Sequence, residues 1–381
     1  MRLAFYAPMK PPTHPAPSGD RRVARLLIQA LEGAGHQVEL ASRLRAYDGE
    51  GDHRRQIALK ASGTRAARRL IATYQAREPA ERPRLWFTYH LYHKAPDWLG
   101  PAVSAALGIP FVAAEASFAR KQANGPYALN HEAAARAIAG ADAVISFTPE
   151  DEAGVAPLVR LPERLHRLAP FLDPAPFQAA RRERTAHRAR LATTLNVDSA
   201  RPWLLAVGMM RPGDKLASYR LLGRALALIA RPAFGLIVVG DGGARGAVED
   251  ALAPLGADRV TYAGSQAETA LPAFYAAADL MVWPAVNEAY GMALLEAQAA
   301  GLAVVAGRER GVFEIIVDGE TGVLVDARDP MVFAETVVGL LEDEARRTAF
   351  GNTALARVEA NHSLAAASAT LDGIIRRLVP A

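Results

Sequence analysis

The sequence predicts an α/β protein built from two doubly wound domains. Short apolar runs of four or five residues recur along the 381 residues, and each is separated from the next by enough chain for a helix. This alternation is typical of parallel sheets covered by helices. A chain of this length exceeds one ordinary core and fits two domains. The segment Pro170–Pro176 has three prolines in seven residues, which disfavours a helix or a central strand and predicts an interdomain linker.

The first domain is predicted to comprise residues 1–175. An uncharged stretch, residues 98–114, contains two glycines and two prolines, so it predicts a helix followed by a buried strand and not a membrane span. The strands of this domain are predicted at Leu3–Ala7, Val38–Ser42, Leu85–Thr88, Phe111–Ala114 and Ala143–Phe147.

The second domain is predicted to comprise residues 176–361. Its first helix is expected at Arg181–Arg190, and a last helix at about 362–381 ends the chain. The strands of this domain are predicted at Trp203–Val207, Leu236–Val239, Val260–Ala263, Leu280–Trp283, Ala303–Ala306 and Gly322–Val325. These elements indicate a second Rossmann-like sheet.

Charge is distributed unevenly along the chain. Residues 1–190 carry 28 Lys and Arg against 18 Asp and Glu, whereas residues 191–381 carry 16 against 22. The first half is therefore expected to favour anionic partners, and no nucleic-acid-binding motif accompanies the excess. Residues 51–80 interleave arginines with apolar residues, which predicts either a helix lying on an anionic membrane surface or a solvated helix face. With no cysteine and no signal-peptide pattern, we expect a cytoplasmic protein, peripheral at the inner membrane face if the first alternative holds.

The stretch 284–301 predicts a strand, an acidic loop and a helix. An apolar run ends at Pro284, which cannot donate to a sheet ladder, so the following residues form a loop that carries Glu288. Gly291 opens a segment of strong helix formers that ends at Gly301, where a glycine cap belongs. The free N–H groups at the start of such a helix favour an anion. A second acid, Glu296, follows the first by eight residues.

This stretch resembles the E-x7-E signature of the retaining glycosyltransferases of the GT-B fold, the family 4-like or group 1 glycosyl transferases. The resemblance covers about forty residues, since it continues through residues 300–306 and 311–325. It implies two Rossmann-like domains facing a central cleft, with the last helix packing back on the first domain. It also implies sugar transfer, with retention, from a UDP- or GDP-sugar to an unknown acceptor in cell-surface polysaccharide, glycolipid or glycan synthesis, without a cofactor.

The resemblance assigns roles around the signature. Glu288 would contact the donor sugar and organise the reacting face, and Glu296 would accept hydrogen bonds from the ribose. Backbone N–H groups near Tyr290, Gly291 and Met292 would hold the phosphates or the sugar.

Two further loops of the second domain are implied to bind the donor. Relatives carry an arginine directly after the glycine that ends the first strand and a lysine beyond it, both on the diphosphate. This chain has Met209 in that place, and the candidates are Arg211 and Lys215. Gly264 and Ser265 follow another strand where relatives bind the base.

In the first domain the resemblance points to the carboxyl ends of strands. His90 stands where the family places a histidine that faces the donor sugar, so it is a catalytic candidate. The family has a glycine-rich loop where this chain has Gly19. Asp20 is expected to reach toward the cleft, His93 and Lys94 are candidate acceptor contacts, and Glu115 is a candidate acceptor contact or a turn cap.

No Asp-x-Asp pair occurs in the sequence, so the reaction is expected to be metal-independent, with positive charge supplied by Lys215, Arg211 and the helix N-terminus at Gly291. The run 240–243 nearly imitates a dinucleotide fingerprint, but turn or phosphate roles explain it without NAD. Two alternatives stay open: a nucleotide-sugar binding protein without turnover, because Gly19 and Met209 depart from the family pattern, and a GT-B epimerase or phosphorylase.

Overall fold

The computed structural model describes residues 1–16 and 18–380. Pro17 and Ala381 lie outside the described residues, and Ala381 is the last residue of the range predicted for the final helix. The chain divides into two compact units: unit 1 comprises Met1–Ala169 and Leu364–Ala381, and unit 2 comprises Pro170–Ser363. Each unit is built on its own sheet.

Unit 1 contains a six-stranded parallel sheet in the order β2-β1-β3-β4-β5-β6. The five predicted strands of this half are present. The sixth was not predicted, because its residues Leu-His-Arg are only half-buried and form no apolar run. The strands are β1 Arg2–Tyr6, β2 Gln37–Leu40, β3 Leu85–Tyr89, β4 Phe111–Ala114, β5 Ala143–Ser146 and β6 Leu165–Arg167.

Helices cover this sheet. Within the basic segment 51–80, His53–Gln75 form one long helix, α2, which Gly63 does not interrupt. A Cβ at Gly63 would lie 2.3 Å from the Cβ of Trp98, so the glycine allows close packing inside the helix. The helices of unit 1 are α1 Gly19–Gly33, α2 His53–Gln75, α3 Gly100–Leu107, α4 Ala128–Ala139, α5 Pro149–Val155 and, at the end of the chain, α14 Leu364–Leu378.

Unit 2 contains a second six-stranded parallel sheet in the order β12-β11-β10-β7-β8-β9. All six strands agree with the sequence prediction to within one residue at each end. The strands are β7 Trp203–Val207, β8 Gly235–Val239, β9 Val260–Gly264, β10 Leu280–Trp283, β11 Val304–Gly307 and β12 Val323–Val325.

The helices of unit 2 correct two predictions. The proline-rich segment does not stay extended throughout, because Ala175 already begins a helix with Pro176 in its first turn, where a missing N–H costs nothing. The expected helix Arg181–Arg190 is divided between two helices that meet at Glu183. The helices are α6 Ala175–Arg182, α7 Arg184–Leu195, α8 Asp214–Leu226, α9 Arg245–Leu252, α10 Leu271–Ala277, α11 Met292–Ala299, α12 Pro330–Glu342 and α13 Glu344–Arg357.

The predicted fold class of two α/β doubly wound sheets is confirmed. In unit 2, glycines bring the loops at the carboxyl ends of the strands into contact. Gly240, at φ 140°, lies so close to the loop after β7 that a Cβ would sit 2.0 Å from the carbonyl oxygen of Gly208. The glycine run after β8 therefore serves close backbone packing. Among the described residues, no helix is long and apolar enough to cross a membrane.

Candidate functional site

The loop after β10 has a strained backbone. Ala285 and Asn287 have φ of 57° and 48°, values that side chains with a Cβ adopt at a cost of about 1 to 3 kcal/mol each. The loop is also tied to α8: the N–H of Val286 donates to Ser218 Oγ over 3.0 Å, and Asn287 Nδ2 donates to Asp214 Oδ1 over 3.0 Å. Such a strained conformation persists only where the surrounding contacts hold it. Here the contacts with α8 hold the loop and thereby fix the position of Glu288.

The carboxylate of Glu288 has two donors on one oxygen. Lys215 Nζ lies 2.5 Å from Oε2, and the indole Nε1 of Trp283 lies 3.2 Å from the same atom. The ammonium group of Lys215 also lies 5.4 Å from the centre of the Trp283 ring. The structure thus brings together two residues that the sequence predicted separately, and it adds Trp283, which the sequence analysis treated only as part of a strand.

Gly291 begins α11 in the left-handed conformation, with φ 66°. The first N–H groups of a helix have no partner within it, so those of Met292 and Ala293 are available to a ligand. The loop before the helix is held from its other side by Gly311, whose N–H donates to Glu288 O over 3.2 Å. A Cβ at Gly311 would lie 2.2 Å from the carbonyl oxygen of Ala289. Tyr290 is half-buried in this loop.

Glu296 lies inside α11 and is only 3% exposed. The hydroxyl of Tyr275 donates to its Oε2 over 2.7 Å in a buried contact. A buried carboxylate needs such donors to keep its charge. The two glutamates of the signature therefore occupy different elements, since Glu288 is in the loop and Glu296 is in the helix.

The loops after β7 and β9 lie at the same carboxyl edge of the sheet. The loop after β7 leads through Gly213, at φ 82°, into α8, and Lys215 stands in the first turn of that helix. Arg211 is exposed in this loop, and the side chain of Met209 is 44% exposed. After β9, Gly264 accepts a hydrogen bond from the N–H of Gly240, and Ser265 is exposed.

In unit 1, three acid and base groups meet at the carboxyl edge of the sheet. His90 follows β3 and Glu115 follows β4, both with positive φ, 61° and 52°. The Nδ1 of His90 lies 3.2 Å from Asp20 Oδ1 and 3.7 Å from Glu115 Oε2. Asp20 is in the first turn of α1. The sequence named these residues one by one, and the fold assembles them.

Burial alone would lower the pKa of His90, but the negative charges of Glu115 and Asp20 outweigh it and raise that pKa above its ordinary value. The contact with His90 in turn lowers the pKa of Asp20. Below its pKa the imidazolium is therefore held by two carboxylates.

The other residues predicted in unit 1 surround this cluster. Gly19 is the first residue of α1, and Ser18 caps the helix, its Oγ accepting from the N–H of Arg21 over 3.2 Å. A Cβ at Gly19 would meet no heavy atom within 4 Å. The ring of His93 packs edge-on against Tyr127, with centroids 5.1 Å apart, and Lys94 Nζ lies 5.6 Å from the same ring. Burial, and after it the charge of Lys94, lowers the pKa of His93.

Four of the five non-glycine residues with positive φ in the described part of the chain follow β3, β4 or β10. Backbone strain of this kind clusters at functional sites, and ligands of doubly wound sheets bind at the carboxyl ends of the strands. Both units therefore carry a candidate site at the edge that the sequence analysis predicted.

The second unit matches a known family. The model described as Glycosyl transferases group 1 matches residues 201–343. The matched region, referred to as the group 1 domain, runs from β7 to α12 and holds Lys215, Glu288 and Glu296, so the resemblance identified from the E-x7-E stretch is confirmed.

Curated relatives match parts of the chain. The D-inositol 3-phosphate glycosyltransferase of Corynebacterium diphtheriae is 40% identical over 118 residues, which cover 31% of this chain and 27% of the relative. That of Salinispora arenicola is 35% identical over 198 residues, covering 49% and 44%. The alpha-D-kanosaminyltransferase of Streptomyces kanamyceticus is 31% identical over 244 residues, covering 64% and 62%. The matched segments thus span less than two thirds of each of these relatives.

Solved structures share the fold over the whole chain. The sucrose-phosphate synthase of Thermosynechococcus elongatus matches with a TM-score of 0.72 at 21% identity, covering 99% of this chain and 98% of that one. The Anabaena protein HepE in complex with UDP matches with a TM-score of 0.72 at 16% identity, covering 99% and 100%. At identities this low, the matches are evidence for the fold alone. They confirm the predicted GT-B fold class.

Proposed function

We propose that the chain is a glycosyltransferase that moves a sugar, with retention at the anomeric carbon, from a nucleoside diphosphate donor to an acceptor hydroxyl. The observation that carries the proposal is the contact of Lys215 with Glu288 beside the N-terminus of α11, within the group 1 domain. A cation, an acid and free backbone N–H groups close together suit a diphosphate sugar, which supports the proposal.

The residues of unit 2 are proposed to contact different parts of the donor according to their charge. Departure of a nucleoside diphosphate develops negative charge, which Lys215 and the first N–H groups of α11 can meet. Glu288, as an acceptor, suits the hydroxyls of the donor sugar, and Glu296 suits the ribose. Arg211, Gly264 and Ser265 supply further contacts to the donor. No divalent metal is required for these roles.

UDP-sugars are the first donors to test. HepE, whose fold this chain shares, was solved with UDP and with UDP-glucose. D-inositol 3-phosphate is the first acceptor to test, because the names of several relatives specify it. The histidine cluster of unit 1 is proposed to contact the sugar or the acceptor, with His90 as the residue that touches the reacting groups.

We also propose that α2 attaches the protein to an anionic membrane surface. The helix exposes Arg54, Arg55, Arg65, Arg68 and Arg69. Its Ile57 is 50% exposed. The apolar residues Leu70 and Ile71, by contrast, pack against the core of unit 1, so the attachment rests mainly on charge.

The experiment is an incubation with UDP-glucose and GDP-mannose in turn, with and without D-inositol 3-phosphate, followed by nuclear magnetic resonance of the anomeric proton. A retaining transferase releases the nucleoside diphosphate and forms a product with the α configuration of the donor. Binding of UDP without any release would indicate a binding protein. A changed sugar without acceptor would indicate an epimerase, and a requirement for inorganic phosphate a phosphorylase.

A further inference from the structure

A cavity of unit 2 lies at the opposite edge of its sheet from the Glu288 loop. The cavity has a volume of about 270 Å³ and lies where β10 and β11 begin, since Asp279 and Ala303 line it. The end of α10 and the first turn of α13 complete its walls. Residues 300–303, which continue the group 1 signature, line this cavity, but neither Glu288 nor Glu296 does.

Three arginines from three different helices line the cavity: Arg181, Arg184 and Arg347. The guanidinium of Arg181 lies flat against Gly301, where a Cβ would come within 2.9 Å of its Cζ. Arg347 Nη1 donates to Leu341 O over 2.7 Å, at the end of α12. The three side chains thus reach one small space from separate anchor points.

The cavity carries an excess of positive charge. Its lining contains two acids, Asp279 and Glu344. The carboxylate of Asp279 is already shared between Arg184, at 2.6 Å, and Arg188, at 2.9 Å. Burial lowers the pKa of the Arg184 guanidinium, and the positive charges of Arg188 and Arg347 lower it further. The negative charge of Asp279 raises this pKa but does not outweigh the other effects. Like charges gathered in a partly buried space are stabilised by a bound anion.

We propose that this cavity binds a small phosphate-bearing anion of the size of pyrophosphate or a sugar phosphate. Guanidinium groups bind phosphate oxygens through paired N–H donors, and the volume admits such an anion but is smaller than most sites for larger ligands. The site is independent of the proposed transfer, because none of its arginines belongs to the Lys215 and Glu288 cluster.

The test is calorimetric titration of the full chain with sodium pyrophosphate. The double variant Arg181→Gln/Arg347→Gln removes two lining cations. Its matched control, Arg182→Gln/Arg346→Gln, removes the two neighbouring arginines, which are exposed and do not line the cavity. We expect the parent and the control to bind one equivalent of pyrophosphate at this cavity in addition to any bound at the donor site, and the lining variant to bind the cavity equivalent about tenfold or more weakly.

Two additional variants keep the result interpretable. Thr348→Glu adds a carboxylate at the rim without removing an arginine, so it is expected to abolish binding even if the double variant folds poorly. Lys215→Ala disables the donor site, and the pyrophosphate equivalent at the cavity is expected to survive it. Absence of binding to the parent, equal losses in the lining variant and the control, or loss of all binding in Lys215→Ala would overturn the proposal.

Discussion

Glu288 and Lys215 form an ion pair. Their contact of 2.5 Å neutralises the two charges that the proposed reaction uses. A diphosphate that binds Lys215 competes with the carboxylate, so donor binding is expected to free Glu288 for the sugar hydroxyls. The indole N–H of Trp283 remains on the carboxylate and keeps it in place.

Glu288→Gln tests the role of this charge. Glutamine keeps the length of the side chain but removes its charge, so we expect the affinity for UDP to stay within several-fold of the parent. Release of UDP from the donor sugar should fall by about 10² or more, because the interaction is strongest in the transition state. Glu320→Gln, at an exposed position, is the control. An unchanged rate of UDP release in Glu288→Gln would remove Glu288 from the mechanism.

Trp283→Phe tests the positioning of Glu288. Phenylalanine keeps an aromatic ring in the core but cannot donate to the carboxylate, so kcat should fall about tenfold while KM for the donor changes less. Trp203→Phe is the control. Trp203 lies in the same sheet as Trp283, and its indole donates to the carbonyl of Asp198 and not to Glu288. Equal losses in both variants would mean that Trp283 serves only the packing of the core.

His90, which lies beside Asp20 and Glu115 in unit 1, is expected to have a pKa above the ordinary value of histidine. In the folded protein Asp20 and Glu115 favour the imidazolium, so its stabilising contribution is complete below the unfolded pKa of about 6.5 and is lost as the pH rises through the raised folded value. A titration of His90 by nuclear magnetic resonance should show a lower pKa in Asp20→Asn than in the parent. The same pKa in both proteins would contradict the ion pair.

At the scale of elements, apolar runs bounded by glycine and proline predicted every strand of unit 2. The short strand β6 escaped prediction because its pairing with β5 is decided by the sheet and not by its own residues. The break between α6 and α7 escaped for a similar reason, since no proline or glycine marks Glu183. Local pattern thus predicts elements with their own apolar signal and misses those that tertiary contacts define.

The candidate site shows the same division. Glu288 and Glu296 follow from a motif that occupies contiguous sequence, and Lys215 follows from the resemblance in the loop after β7. The contact of Trp283 with Glu288 depends on the left-handed Ala285 and Asn287, which turn the loop back over the end of β10. The only signal for it in the sequence is an aromatic residue directly before Pro284, which strand packing explains equally well.

The exposed arginines of α2 are expected to bind anionic membranes. Replacing Arg65, Arg68 and Arg69 by serine should weaken sedimentation with phosphatidylserine liposomes at low salt by roughly 1 kcal/mol per charge near the surface. The matched control replaces Arg182, Arg224 and Arg346, which are exposed in unit 2. If the parent fails to bind such liposomes, or if the two triple variants bind equally, α2 is an ordinary solvated helix.

At the scale of the whole molecule, the chain repeats one architecture twice, with a six-stranded parallel sheet in each unit. The two carboxyl edges differ in chemistry: unit 1 presents a histidine between carboxylates, and unit 2 presents a lysine, an acid and a helix N-terminus. In the proposed function, the charge of the leaving diphosphate is met by Lys215 and the first N–H groups of α11.

The most direct test measures the release of UDP from UDP-glucose in the presence of EDTA, for the parent, Lys215→Ala and Arg211→Ala. We predict that the parent stays active without metal, that Lys215→Ala loses about 10² to 10³ in kcat/KM, and that Arg211→Ala loses less, because Arg211 is exposed in its loop. Strict dependence on added Mg²⁺ or Mn²⁺, or parental kinetics in Lys215→Ala, would contradict the assignment of the diphosphate to Lys215.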